Sequence, residues 1–219
     1  MIMVIIGICG KMGNFLADYF EKKWDIIGVD LKKHPKYTTY SSIDLIDLPI
    51  DVVADFSSVN AKNELIKAIN KNVLVLSGTT GYSFSEIDEF IKLGKEKFFW
   101  SANYAGGIFL FYKLCELVFK DYDIFDFIEI HAKDKKDKPS GTAKMIAKKL
   151  TIDENKIQSL RINQANPVHE IIFSSEYERI ILRHEVMKKD AFLIGFEKKL
   201  NEMREKNDKE AIWMWVLWL

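Results

Sequence analysis

The stretch "MIMVIIGICGKMGNFLADYF", residues 1–20, decides the fold. Its apolar run Met3–Ile6 is continuous rather than alternating, the pattern of a strand covered on both faces. Gly7, Gly10 and Gly13 follow at once, and Phe15, Leu16, Tyr19 and Phe20 then recur on one helical face. A strand, a glycine turn and a helix in that order bring backbone N–H groups up to a pyrophosphate, whose charge sits on the helix N-terminus. Cys9, inside the turn, reads as filling the space beneath it.

The pattern continues outward. Strand-like runs at Ile26–Asp30, Val52–Phe56, Val73–Ser77 and Phe98–Ala102 alternate with helical stripes over Asn14–Lys23, Asn60–Asn70 and Ser85–Leu93. That alternation predicts an α/β fold: a Rossmann-type parallel-sheet dinucleotide-binding domain over residues 1–105. The second run ends in Asp30, where an acid commonly hydrogen-bonds an adenosine ribose. Its carboxylate favours NAD, whereas Lys32 and Lys33 would neutralise the 2′-phosphate of NADP, so both cofactors stay open. Small-residue turns end the later strands: "DFSS" (55–58), "GTTG" (78–81) and "SANYAGG" (101–107). Together they mark one crevice and add Phe56, Gly78, Thr79, Thr80, Asn103 and Tyr104 to the cofactor candidates.

Residues 106–199 read as a smaller α+β domain with an antiparallel or mixed sheet. A helix over Gly107–Phe119 precedes the run "FDFIEIHA" (125–132). A second helix opens near Thr142, with Ala143, Ile146, Ala147 and Leu150 on one face. "VHEIIF" (168–173) and "ERIILRH" (178–184) are strand-like, with "SSEY" (174–177) as their turn. Helical spacing returns over 188–207. His169 and His184 fall on strands and read as packing histidines, and His34, in a Lys-rich loop, as solvated.

Composition excludes several classes. Thirty-two basic residues balance 32 acidic ones, so no global field recruits nucleic acid. The two cysteines, Cys9 and Cys115, lie far apart in apolar segments, which suits a reduced cytoplasmic protein. No zinc-type Cys/His spacing is present, and no metal is expected. The C-terminal "AIWMWVLWL" (211–219) is too short to span a bilayer, so no membrane association is expected.

"HAKDKKDKPSGTAK" (131–144) carries the chemistry. His131 closes a strand, Lys135 follows it, and Ser140 is placed to cap the next helix. Free N–H groups at that helix start, beside a lysine, suit a small carboxylate or phosphate. A histidine in the same loop exchanges a proton near neutral pH.

At this point the chain resembles the 4-hydroxy-tetrahydrodipicolinate reductase (dihydrodipicolinate reductase) family. "EIHAKDKKDKPSGTA" (129–143) follows that family's E-x-H-H-x-x-K-x-D-x-P-S-G-T-A, and "GICGKMG", "DFSS", "GTTG" and "NYAGG" follow its remaining loops. The resemblance implies reduction of a small cyclic dicarboxylate by NADH or NADPH in lysine and diaminopimelate biosynthesis. It implies His131 and Lys135 as the proton-transfer and charge-stabilising pair, and Ser140, Gly141 and Thr142 as holders of a substrate carboxylate. Gly10, Lys11 and Met12 would face the pyrophosphate, and Gly78 and Thr80 the nicotinamide. A homotetramer built through the second domain is implied too, as is a C-terminal segment, 200–219, packed back onto the nucleotide domain. The sequence departs from the pattern at Ala132 (the second histidine), Val59, Ala102, Ala105, Pro167 and Lys189. Those departures keep two alternatives open: a non-catalytic nucleotide-binding relative with a decayed site, and a re-targeted NAD(P) dehydrogenase.

Overall fold

The structure, a computed structural model, describes residues 1–122 and 124–208. The described chain divides into two compact units: Met1–Ser101 together with residues 197–208, and Ala102–Phe196.

In the first unit β1 (Ile2–Ile6), α1 (Lys11–Phe20), β2 (Asp25–Val29), β3 (Thr39–Tyr40), β4 (Val52–Asp55), α2 (Lys62–Asn70), β5 (Leu74–Ser77), α3 (Phe84–Gly94) and β6 (Phe98–Trp100) follow one another. All adjacent strand pairs are parallel, in the order β3-β2-β1-β4-β5-β6. The chain runs outward one way through β2 and β3, then returns to lay β4 on the other side of β1. That reversal is where α/β sheets place a ligand, at the C-terminal strand ends. β4 and β5 are buried along their whole length, as a sheet covered on both faces requires. Val4, Val53, Leu65, Val75, Ile87 and Phe90 meet in one core cluster. A capping box fixes the start of α3: Ser83 Oγ accepts from the Glu86 N–H, and Glu86 reaches back to the Ser83 N–H. β3 was not legible in the sequence, because two residues carry no periodicity.

The second unit contains α4 (Gly106–Phe119), β7 (Ile124–Ala132), α5 (Gly141–Lys149), β8 (Ile157–Ile162), β9 (Val168–Ser174) and β10 (Arg179–Glu185). α6 (Asp190–Asp208) begins in it and crosses the division after Phe196. Its sheet runs β10-β9-β7-β8, with β7 antiparallel to β9 and parallel to β8, and is therefore mixed. One face is covered: Phe127, Ile157, Ile171 and Phe173 pack with Phe111, Cys115 and Ile146. On the strands Leu160, Ile162 and Ile181 are exposed. β8 was missed because "IQSLRI" is short and flanked by polar residues.

Among the described residues no helix is long and apolar enough to cross a membrane. The expected return of the C-terminal segment lies, from residue 209 on, outside the described residues.

Candidate active site

In the first unit the glycine turn closes on itself. The Gly10 N–H donates to Gly7 O at 2.9 Å, and Gly7 sits at φ +81°, in the left-handed region. A Cβ on Gly13 would stand 2.1 Å from Gly7 O, against rigid backbone, so only glycine lets the helix start lie this close to the turn. Ile8, fully buried, fills the space beneath the turn and lies against Gly28. Cys9 does not: it is exposed, with Sγ 3.3 Å from Lys32 O. The side chain after the first glycine points inward, and the next one outward.

Asp30 accepts from the Cys9 N–H and the Lys32 N–H, each at 3.1 Å, so the acid at the end of β2 is tied to the glycine turn. Lys11, Lys32 and Lys33 are exposed, and Met12 is half-buried. Phe56 lies over Gly78, where any Cβ would meet its ring at 2.2 Å. Beneath these loops Asp55 is fully buried and accepts from Ser57 and Ser77 hydroxyls, while Thr79 Oγ1 accepts from the Ser57 N–H at 2.9 Å. Burial pushes the Asp55 carboxyl up, against those hydrogen bonds. Asp55 is thus the polar rivet that joins the loops after β4 and β5. Thr80 is exposed beyond it. The cradle of glycine backbone with an acid at its edge fits a dinucleotide. Asn103 and Tyr104 fall in the second unit and are buried there: Asn103 Oδ1 accepts from the Ala105 N–H, and the Tyr104 ring packs on Phe196.

The second unit builds its site by strand register. Along β7 the inward residues are Phe127, Glu129 and His131. Glu129 stands opposite His169 of β9 and Ser159 of β8, and His131 opposite Arg161. A polar row therefore crosses an otherwise apolar covered face. Arg161 binds Glu129 Oε1 at 3.0 Å, and the Ser140 N–H donates to the same carboxylate at 3.0 and 3.1 Å. His131 Nδ1 lies 3.3 Å from Glu129 Oε2, within ion-pair range but without hydrogen-bond geometry. Ser140 Oγ accepts from the Ala143 N–H, capping α5, and stands 3.4 Å from His169 Nε2. Arg161 also donates to the carbonyls of Lys135 and Asp137, which holds the loop between β7 and α5. Lys135 Nζ pairs with Asp137 at 2.8 Å.

Ligating atoms of Glu129, His131 and His169 lie within 4.8 Å of one another. Metal ligation would compete with the guanidinium and the backbone N–H that already use this carboxylate. Burial would raise the Glu129 carboxyl, but contacts from Ser140 and Arg161 hold it below the usual range. Burial lowers His131 to about 4 and His169 to about 3, so both are neutral at pH 7.

These shifts set a pH dependence. Unfolded imidazoles take a proton near 6.5, whereas the folded ones resist to about 4 and about 3. Between those values the unfolded chain binds more protons, so stability falls as pH drops below 6.5. The loss is on the order of 2 kcal/mol for each histidine by about pH 5. Thermal melts across that range are expected to show the decline, and His169→Gln is expected to flatten it.

Sequence reasoning singled out His131, Lys135 and Ser140–Thr142, and the structure places them on one strand end, one loop and one helix start. It assigned no role to Glu129 or Arg161 and read His169 as packing. The signal available was two-residue spacing, since Glu129 and His131 must share a face. Arg161 carried none, because β8 itself was not read. His34 is not solvated: it is half-buried, with Nε2 2.7 Å from Asn14 Oδ1 and Nδ1 accepting from the Lys36 N–H.

A dinucleotide cradle in one unit and a histidine–lysine–carboxylate cluster in the other define a nicotinamide-dependent oxidoreductase with a Rossmann-type fold. Residues 1–104 match the family model "Dihydrodipicolinate reductase, N-terminus", and residues 107–214 match "Dihydrodipicolinate reductase, C-terminus". The chain belongs to the dihydrodipicolinate reductase family. It is 30% identical to the 4-hydroxy-tetrahydrodipicolinate reductase of Clostridium novyi (strain NT), over 94% of each chain. With that of Rickettsia peacockii (strain Rustic) it shares 32% identity, over 91% of this chain and 92% of the relative. The solved dipicolinate-bound dihydrodipicolinate reductase of Paenisporosarcina sp. TG-14 shares the fold, with TM-score 0.73 and 21% identity. That match covers 94% of this chain and 95% of the other.

Proposed function

We propose that this chain reduces 4-hydroxy-tetrahydrodipicolinate to tetrahydrodipicolinate in lysine and diaminopimelate biosynthesis, using NADH or NADPH. The observation that carries this reading is the His131–Glu129–Arg161 cluster beside Lys135 and the capped start of α5, in a chain that keeps the family's glycine cradle.

Bound in the cradle, the reduced nicotinamide supplies the hydride. Gly7, Gly10, Lys11, Met12 and Gly13 would hold its pyrophosphate, and Asp30 would serve the ribose. Lys32 and Lys33 stand ready for a 2′-phosphate, which is why both cofactors serve. Phe56, Gly78, Thr79 and Thr80 would border the nicotinamide. The α5 start, Ser140–Thr142, holds one substrate carboxylate. Lys135 supplies a fixed positive charge where the ring gains electrons. His131 is neutral in the free protein. The substrate's 4-hydroxyl leaves with a ring proton as water before the ring accepts the hydride; the dianion's negative charge raises the basicity of His131, so it takes up a proton on binding and delivers it to the reduced ring. Exposed Leu160, Ile162 and Ile181 suit a homotetramer formed through the second unit's sheet. The protein works in the cytoplasm, without membrane or nucleic-acid partners.

Ala132 follows His131 on the strand and so faces the other way, leaving the buried cluster intact.

The test is oxidation of NADH and NADPH, followed by absorbance, with the cyclic dicarboxylate generated in situ by its synthase. Turnover with either nucleotide supports the assignment. Nucleotide binding without turnover would replace it with a decayed or re-targeted site.

A further inference from the structure

Asp137 occupies a position that the proposed reaction does not use. Its carboxylate pairs with Lys135 Nζ, 2.8 Å from Oδ1 and 3.0 Å from Oδ2. Its Oδ2 also accepts from the Gly141 N–H, at 3.3 Å. A lysine ammonium and an N–H at the start of α5 are the donor types that a bound substrate carboxylate would take. The next N–H back, that of Ser140, is not available, because both Glu129 oxygens accept from it. Carboxylates of the chain itself therefore satisfy the opening of α5.

The two internal carboxylates differ in one decisive respect. Glu129 is fully buried and clamped by Arg161, so it cannot leave without stranding a guanidinium. The Asp137 side chain is 42% exposed and lies on a loop, so it can turn into solvent at small cost. Its backbone stays in place meanwhile, since Arg161 donates to the Asp137 and Lys135 carbonyls. Only the side chain needs to move.

We propose that Asp137 is an internal competitor for the substrate's carboxylate: it holds Lys135 and the Gly141 N–H in the free protein and yields both when a ligand carboxylate arrives. This inference rests on the assignment of the α5 start as the substrate's carboxylate seat. Seating a ligand then exchanges one carboxylate for another, so a single carboxylate gains little there. The ring and the second carboxylate supply the net affinity. Abundant monocarboxylic acids are kept out of the site at their ordinary concentrations, and the lysine is neutralised until the substrate comes.

The sign of one substitution separates this role from its opposite. If Asp137 instead oriented Lys135 for the substrate, removing its charge would weaken binding. As a competitor, its removal strengthens binding of every carboxylate by a common factor. The experiment measures inhibition by pyridine-2-carboxylate and pyridine-2,6-dicarboxylate, with the substrate KM, in wild type, Asp137→Asn and Asp137→Glu. Nucleotide binding serves as the check on folding. Asp137→Asn is expected to lower both inhibition constants and the KM by a shared factor of roughly three to ten, the worth of an exposed ion pair plus a helix-end contact. Asp137→Glu, which keeps the charge, is expected to stay within about twofold of wild type. Unchanged or raised constants in Asp137→Asn, with the wild type turning over normally, would overturn the competitor role alone. A wild type that neither turns over the dicarboxylate nor is inhibited by its analogue would overturn the reductase assignment and this inference with it.

Discussion

Lys135→Ala is expected to lower kcat by about 10²- to 10⁴-fold, the range over which a positioned acid, base or charge acts in a transition state. The loss has two parts. In the proposed reaction charge develops on the substrate ring, and Lys135 would supply there the cation that Arg161, committed to Glu129, cannot replace. The variant also leaves Asp137 on the Gly141 N–H without its counter-charge, so an anion remains where an anion must bind. KM should therefore rise as well. Lys135→Arg keeps the charge but spreads it over a planar fork, and is expected to recover KM more than kcat. His131→Gln should reduce kcat over the same range and remove the pH dependence that His131 imposes. None of these residues belongs to the glycine cradle, so nucleotide affinity measured by fluorescence should be unaltered in all three. A Lys135→Ala enzyme within about fivefold of wild-type kcat would remove Lys135 from the chemistry.

How far the sequence foretold this site depends on the range of the contacts involved. The glycine turn, the strand before it and the helix after it are local, so residues 1–20 carried all the information needed. Ser140 as a helix cap was equally legible, because capping reaches only to Ala143. Asp55 was visible only as the start of a small-residue turn. Its partners Ser77 and Thr79 come from the next strand and loop, and sheet register brings them together. The Glu129 environment was the least legible, for the same reason. His169 and Arg161 meet it across two different strand pairings, one antiparallel and one parallel, and no spacing along the chain encodes that meeting. Cys9 failed on a finer scale. Whether Ile8 or Cys9 turns inward depends on how the chain leaves β1, and the exit at Gly7, with positive φ, decided it.

Arg161→Met is expected to destabilise the second unit by about 3–5 kcal/mol, because it leaves a buried carboxylate without its cation. Glu129 has no exposed surface, and Arg161 is its one guanidinium partner among the described residues. Part of the loss comes from the loop, whose Lys135 and Asp137 carbonyls lose their donor. Pairing the change with Glu129→Gln separates the two parts. The amide removes the stranded charge and can still accept from the Ser140 N–H, so the double variant should regain the electrostatic share but not the loop share. The pH response gives an independent reading. In the wild type the Glu129 carboxyl lies below 4.5, so its contribution is present at neutral pH and is lost as pH falls through the folded value. In Arg161→Met, burial, which already presses upward on this carboxyl, prevails and lifts it above the unfolded value. Its linkage then reverses: acidification should steady the variant relative to wild type over the range in which this carboxyl takes up its proton. Thermal melts of the two single variants and the double variant over that range measure both effects. Equal losses in Arg161→Met and the double variant, with no difference in pH response, would show that Arg161 serves the loop and not the carboxylate.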